Sequence, residues 1–306
     1  MLDIAGLHMR AAFFRLIRLF FYQCGFLEVD TPLRQPVCIP ESNIVALTSE
    51  TEYLQTSPEL CMKRLLAAGS SNIFQICPCF RKEEKGRLHL EEFQMLEWYR
   101  TGADYHQLMV DCEALLQFLA ANLTEQQLPK SFADRQFFSG INFDDRWERL
   151  TVCDAFSRYS TIKLQQALEH GRFDEILVDC IEPHLGITCP VFLYDYPVQL
   201  GSLARKNADN PAVAERFELY IKGVEIANGF SELTDTDEQR VRFDHEIAVI
   251  KENTGRDVMM PERFLADLER LDSAAGIALG VDRLFMLAMN SEQIAEIITF
   301  SPEDFF

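Results

Sequence analysis

Positive charge is scarce in this 306-residue chain: 29 Lys and Arg stand against 48 Asp and Glu, a formal net charge of −19. Loose, sequence-independent nucleic-acid binding relies on Lys and Arg neutralising phosphates, so a stable nucleic-acid partner is not expected, although a local basic cleft remains compatible with the balance. Long apolar runs are missing too. No stretch approaches the about 18 uninterrupted apolar residues of a membrane span, so no membrane partner is expected. The opening MLDIAGLHMR lacks the basic leader, apolar run and small-residue cleavage site of a secretory signal. Metal-binding spacings are absent: there is no Cys-x-x-Cys pair and no His-Glu-x-x-His, and Cys77-Pro78-Cys79 is the nearest approach. The nine cysteines are an odd number scattered through a long chain, which reads as reduced thiols in a cytoplasmic protein. Neither a phosphate loop nor a Gly-x-Gly-x-x-Gly is present, so any use of ATP must proceed without a Walker loop.

What is present is an ordinary globular mixture, 48% apolar and 25% charged, long enough for one large domain or two ordinary ones. Phe13, Ile17, Phe20, Phe21 and Cys24 recur at helical spacing, with Gly25 as a cap. An extended segment from Phe26 to Thr31 is halted by Pro32. Ser57-Pro58-Glu59 opens another helix, with Ser57 as N-cap and an acid at the positive end of the dipole. Segments 74–83 and 92–100 read as paired strands, followed by an amphipathic helix over about 104–123. The stretch 124–188 reads as an insertion, polar at first and helical over 162–185. Strands return at Val191–Tyr194, Glu215–Ile221 and Val224–Asn228, and a Gly-rich strand enters a helix over 276–289. Strand pairs without regular β-α alternation imply an α+β antiparallel sheet flanked by helices, here expected as one domain over residues 1–306.

Alternate strand residues share a face. Arg81 and Glu83 are therefore expected on one side of the first hairpin, with Phe93, Met95, Glu97 and Tyr99 together on the return strand. This is a guanidinium, an aromatic plate and two carboxylates, or else simply a solvated amphipathic hairpin. In the second hairpin a two-residue turn at Lys222-Gly223 places Tyr220 opposite Glu225 and Glu218 diagonal to Glu225, about 7–8 Å away. Like charges so close repel unless a cation lies between them, and two oxygen donors suit Mg²⁺ carrying substrate phosphates; a surface acid cluster is the plainer alternative. Glu232 adds a further acid after the Asn228-Gly229-Phe230 bend. Gly276 to Arg283 combines a Gly-rich strand, a helix N-terminus and a full positive charge, an arrangement that favours anions; plain packing of a strand-to-helix turn is the simpler alternative.

Together these segments resemble the signature motifs of class II aminoacyl-tRNA synthetases of the lysyl type. Motif 1 resembles the first helix and the strand ending GFLEVDTP at Pro32. Motif 2 resembles FRKEE…HLEEFQMLEWY, and motif 3 GIALGVDRL. TSPELCMKRLL, DYPVQLGSLARKN and FELYIKGVEIANGFSEL match as well, so the resemblance runs from about residue 10 to the end. It implies ATP and Mg²⁺ as cofactors. Arg81 would hold the α-phosphate and substrate carboxylate, Glu83 and His89 would place the nucleotide, Phe93 would stack on adenine, and Arg283 would grip the γ-phosphate. Glu218 and Glu225 would bind Mg²⁺. Glu59, beside Ser57, would contact the amine near the reacting end. Glu97, Tyr99 and Glu232 would recognise a distal ammonium, with Asn228, Phe230 and Ala278 lining the pocket.

Departures from the lysyl pattern narrow the resemblance. Motif 1 begins so early that no anticodon-binding domain is expected ahead of it. Leu88-His89-Leu90-Glu91 stands where the tRNA enzymes carry Arg-His-Asn-Pro, which weakens contact with an RNA end. Ala278 and Ser57 replace a glycine and an alanine. This combination is similar to the elongation factor P–(R)-β-lysine ligases, truncated paralogues that activate β-lysine as an adenylate and transfer it to a lysine of elongation factor P. The family also implies a homodimer through motif 1, and Phe13-Phe14 and Phe20-Phe21 give that helix more apolar surface than one monomer face needs. Two other readings stay open: a minimal lysine-activating enzyme with an RNA acceptor, and an inactive synthetase-like regulator. The regulator should have lost site residues, yet Arg81, Glu83, Phe93, Glu218, Glu225 and Arg283 are all present.

Overall fold

The computed structural model describes residues 1–123 and 136–305. The first apolar spacing closes into α1 (Ile4–Gln23), capped by Asp3, whose carboxylate accepts from the Gly6 N–H at 2.6 Å. Phe13, Phe20 and Phe21 are taken up by this chain's own core, Phe21 stacking on Phe74 at 4.7 Å. Only Phe14 of the four stays partly exposed, so the expected surplus of apolar surface is mostly spent within the monomer. Cys24, expected on the buried stripe, is the exposed C-cap. Gly25 takes a left-handed φ of 76° and turns the chain into β1 (Leu27–Glu28).

A small three-stranded sheet follows, β2 (Arg34–Gln35), β3 (Thr48–Ser49) and β4 (Glu52–Leu54). Then comes α2 (Glu59–Ala67). Its N-cap is Pro58, not Ser57, although the Ser57 hydroxyl still accepts from the Glu59 N–H at 3.0 Å. β5 (Asn72–Phe80), β6 (Glu92–Thr101) and α3 (Tyr105–Asn122) confirm the first hairpin and its helix, but β5 stops three residues short of the expected end.

Of the expected insertion, residues 124–135 lie outside the described residues. The remainder is woven into the sheet. β7 (Glu148–Thr151) forms its edge. α4 (Val152–Tyr159), α5 (Leu164–Glu169) and α6 (Phe173–Ile176) cover that end around a core of Leu150, Phe156, Phe173, Ile181, Leu193 and Tyr196. Helix thus begins at Val152, earlier than expected. β8 (Val191–Pro197), β9 (Val213–Ile221) and β10 (Val224–Ser231) follow as antiparallel neighbours. The sequence reading leaves α7 (Thr236–Thr254) and α8 (Glu262–Leu268) unassigned. β11 (Ala274–Gly280) and α9 (Val281–Ala288) complete the fold.

The large sheet runs β1-β5-β6-β11-β10-β9-β8-β7, antiparallel across its centre and parallel only at its two edges, β1 on β5 and β7 on β8. One face carries Phe74, Leu96, Trp98, Phe217, Leu219, Ile277 and Leu279 into the main core under α1, α3 and α9. Alternation then sends the polar residues of the same strands to the other face, which is only partly covered. There α2 and α8 pack on Ile73, Tyr99 and Ala274. Among the described residues no helix is long and apolar enough to cross a membrane.

Candidate active site

Strand register builds the site. Gln75, Glu97, Ala278, Asn228 and Glu218 are successive cross-strand neighbours on β5, β6, β11, β10 and β9. The next row on that face is Ile73, Tyr99, Gly276, Phe230 and Arg216. Above them opens a cleft of about 810 Å³ whose lining includes Ser57, Glu59, Arg81, His89, Phe93, Glu218, Glu225, Asn228, Phe230, Ala278 and Arg283. A bulge in β10 decides part of this. Tyr220 does oppose Glu225 as expected, but the register slips between Glu225 and Ala227, so Glu218 opposes Asn228. The bulge turns Ala227 into the core and lets Glu225 and Asn228 both reach the cleft.

At one end lie the guanidinium groups. Arg81 is half-buried, its Nε donating to the Thr56 carbonyl at 3.3 Å and its plane 5.3 Å from the Phe93 ring centre. Arg283 sits in the first turn of α9, where Nη1 donates to the Glu225 carbonyl and carboxylate at 3.0 and 3.3 Å. Its Nη2 donates to Nε2 of His89 at 2.5 Å. Burial and then the Arg283 charge push the His89 pKa down, which keeps the imidazole neutral and able to accept that bond. Glu83 does not join this group. β5 ends at Phe80, so the parity that put Arg81 and Glu83 on one face does not apply. Glu83 instead takes a left-handed φ of 70° with its side chain 73% exposed, while Glu84 lines the cleft 3.5 Å from Arg81.

Glu218 is held by four donors: Tyr196 and Tyr220 hydroxyls at 2.5 and 2.7 Å, Arg216 at 2.6 Å and the Asn228 amide at 3.5 Å. Glu225 has its pKa raised by burial and by the negative charge of Glu218, with Arg283 pulling the other way. Among the described residues no cluster of three or more His, Cys, Asp or Glu could hold a metal unaided. Two acids whose repulsion is only partly relieved do fit Mg²⁺ in its usual role, bound by one or two carboxylates and completed by substrate phosphates and water.

At the other end, Glu97, Tyr99 and Glu232 lie buried immediately behind the lining formed by Glu59, Ala278, Asn228 and Phe230. The Tyr99 hydroxyl donates to Glu97 at 2.6 Å, leaving the other Glu97 oxygen with no partner. Oε1 of Glu232 and Oδ1 of Asn228 are buried and unpartnered as well. Burial, then the charge of Glu59, holds the Glu97 pKa well above the carboxylate range, and burial pushes Glu232 up to about 8 against the opposing pull of Lys63. Gly276 is needed here for a reason other than ligand approach: a Cβ would strike the Tyr99 ring and the Glu232 carboxyl.

Comparison with known proteins bears on this geometry. The model of class II tRNA synthetases (D, K and N) matches residues 5–304. A protein of Pectobacterium carotovorum subsp. carotovorum (strain PC1) named elongation factor P–(R)-β-lysine ligase is 40% identical, over 98% of this chain and 96% of that protein. Bearers of the same name from Proteus mirabilis (strain HI4320) and Pseudoalteromonas translucida (strain TAC 125) are 38% and 37% identical, each over 97% of this chain and 95% of their own length. The chain belongs to this ligase family, within the class II synthetases.

In this family member several site residues were not apparent from sequence. Arg216 alternates with Glu218 on β9, a parity signal that was available. Its guanidinium lies 4.4 Å from the Tyr196 ring centre while binding Glu218. Lys63 is fully buried between Glu59 and Glu232. Glu41, in the loop before β3, lines the cleft, and burial followed by the Glu59 charge raises its pKa to about 7.

Proposed function

We propose that this protein is an ATP-dependent ligase that activates (R)-β-lysine, and α-lysine less well, as an aminoacyl-adenylate and transfers it to a lysine side chain of translation elongation factor P. The observation carrying the substrate reading is the set of buried, unpartnered acceptors at the amine end, on Glu97, Asn228 and Glu232. A buried acceptor left unsatisfied costs about 1–3 kcal/mol, so several together call for a ligand rich in N–H donors, such as an alkylammonium.

In the first step the substrate carboxylate attacks the α-phosphorus of ATP; a carboxyl–phosphate bond forms and pyrophosphate leaves with the electron pair. Arg81 holds carboxylate and α-phosphate together and offsets their charge, while Arg283, braced by His89 and Glu225, meets the far phosphate. Phe93 offers its ring to adenine, and Glu84 replaces Glu83 beside Arg81. Glu218 and Glu225 would hold Mg²⁺, which supplies neutralisation of phosphate charge. In the second step the neutral acceptor amine attacks the acyl carbon, the carbon–oxygen bond breaks with its electron pair leaving on AMP, and the acceptor nitrogen releases one proton to solvent and keeps the other as the amide N–H.

At the amine end Glu59 takes the amine near the reacting carbon, and Glu97, Tyr99 and Glu232 take the distal ammonium. Ala278 stands between Glu97 and Asn228 in the cross-strand row. Its methyl crowds the place of an α-amine, and moving the amine one carbon along relieves the contact. The chain acts as one catalytic domain, with β7 at the sheet edge and α4, α5 and α6 covering that end, and pairs as a homodimer across the outer side of α1, where Leu19 and Tyr22 are exposed.

Intact-mass spectrometry of elongation factor P tests this after incubation with the protein, Mg·ATP and either lysine isomer. A gain of one lysyl mass, faster with the (R)-β isomer, is the expected result. No gain, with ATP–pyrophosphate exchange intact, would redirect the acceptor to RNA. Loss of both activities would leave an inactive regulator.

A further inference from the structure

Lys63 is a long cationic side chain with no exposed surface, on a helix whose neighbouring turn opens into the cleft. It is four residues after Glu59, a spacing that on a solvated helix gives an ordinary surface ion pair. Here the ammonium does more than that. Nζ contacts Oε1 of Glu59 and, 2.5 Å away, Oε2 of Glu232, which follows β10 on the far side of the site. Burial alone would push the Lys63 ammonium toward neutrality, but Glu232 and Glu59 outweigh it and the net shift is upward, so the bridge carries a full positive charge.

Two carboxylate oxygens gripped by one nitrogen lie within about 5–6 Å of each other, twice the usual length of a charge-assisted contact. One ammonium with two contacts thus fixes the spacing between α2 and the end of β10. Lys63 does not line the cleft, whereas Glu59 does, and Glu232 keeps its second oxygen buried and unpartnered. The lysine therefore reaches any ligand only through the acids it holds.

We propose that Lys63 is a positioning residue for the amino-acid substrate: by bridging Glu59 and Glu232 it sets the distance between the two carboxylates that receive the substrate's amines, and so sets the preference between isomers whose amines are one carbon closer or farther apart. This rests on the amine-binding roles proposed above for Glu59 and Glu232. The two isomers carry the same charge and the same atoms, so net attraction does not separate them; a fixed span between acceptors does. Ala278 acts from the cleft floor by bulk, whereas Lys63 acts from behind the wall by spacing, so the two contributions are separable.

The test uses the full chain and amino-acid-dependent ATP–pyrophosphate exchange with (R)-β-lysine and with α-lysine. In Lys63→Met the KM for (R)-β-lysine should rise about tenfold or more and the ratio of kcat/KM between isomers should move toward one, with the KM for ATP within about twofold of the parent. Lys63→Arg, which keeps the charge but alters the span, should recover affinity without recovering the isomer ratio. Unchanged KM and isomer ratio in Lys63→Met would overturn the proposal and leave Lys63 a purely structural ion pair. Should both variants fail to fold, the unmodified enzyme decides. With ¹⁵N-lysine labelling, the buried Lys63 ammonium should give a protected ¹H–¹⁵N signal that shifts on saturation with (R)-β-lysine and not with ATP alone; a signal indifferent to the amino acid overturns the proposal equally. A parent that exchanges with neither isomer overturns the functional reading itself, and is recognised because parent and variants then fail alike.

Discussion

Two groups of carboxylates share one sheet face, and their hydrogen bonding differs. Glu218 on β9 is met by two tyrosine hydroxyls, an arginine and an amide. Glu97, three strands away on β6, and Glu232, just past the end of the neighbouring β10, each keep an oxygen that is buried and bonded to nothing. An acid satisfied on nearly every lone pair is held for its direction and charge, and tolerates a ligand that adds to its surroundings. An acid buried with an orphaned oxygen is incomplete without a donor. The first arrangement suits the end where phosphates and a cation come and go, and the second the end where the substrate's own ammonium completes the structure.

Substituting one acid from each group breaks that contrast most sharply. Glu97→Gln keeps the shape but trades a charged acceptor for an amide against a bound ammonium. Breaking a buried charged pair costs about 3–5 kcal/mol, so kcat/KM for (R)-β-lysine should fall about 10²–10⁴-fold with the KM for ATP nearly unchanged. Glu218→Gln should do the reverse, with the loss expressed in ATP. Steady-state exchange kinetics varying each substrate in turn reads both. Equal losses for both substrates in both variants would dissolve the division of the site.

A smaller effect is expected at Ala278, between Glu97 and Asn228. One methyl in a pocket is worth about 1–3 kcal/mol, or 10–200-fold. Ala278→Gly should therefore raise α-lysine activation by a factor in that range while (R)-β-lysine changes less. If exchange with α-lysine does not improve, bulk at this position is not what discriminates.

How far the site was legible follows from which physical signals reach the sequence. Alternation placed Glu97, Tyr99, Glu218 and Tyr220 on the right faces, because a regular strand has period two. It failed at Glu83, where β5 had already ended; the diagonal of Glu218 and Glu225 held, since Tyr220 opposes Glu225, but that Glu218 directly faces Asn228 was not legible, because the β10 bulge between Glu225 and Ala227 has no marker among the residue types around it. α7 was invisible because only Gln239, Phe243 and Ile250 of its nineteen residues are buried, too few to draw an apolar stripe. Lys63 was overlooked because Glu-x-x-x-Lys looks the same on a wet helix as on a buried one. The motifs named the family, and the register of the sheet decided which acids meet.

The smallest effect separates Glu41 from both groups. Its carboxyl lies in the cleft wall near Glu59, Arg81 and Glu246, and burial first, then the Glu59 charge, raises its pKa from 4.5 to about 7. The folded protein thus binds this proton more tightly than the unfolded chain does. The stability associated with it is fully present below about pH 4.5 and is lost as the pH rises through about 7, because above that the native state must carry the buried charge. Glu41→Gln removes this titration while keeping the size of the side chain. Thermal midpoints of parent and variant should therefore agree near pH 4.5, and the variant should be the more stable at pH 8, by a few degrees at most. Glu232 titrates in the same direction but is present in both proteins, so the difference between them isolates Glu41. Parallel midpoints across the whole range would mean that Glu41 is solvated in the folded protein and belongs to the rim of the cleft, outside the contrast between the satisfied and the unsatisfied acids.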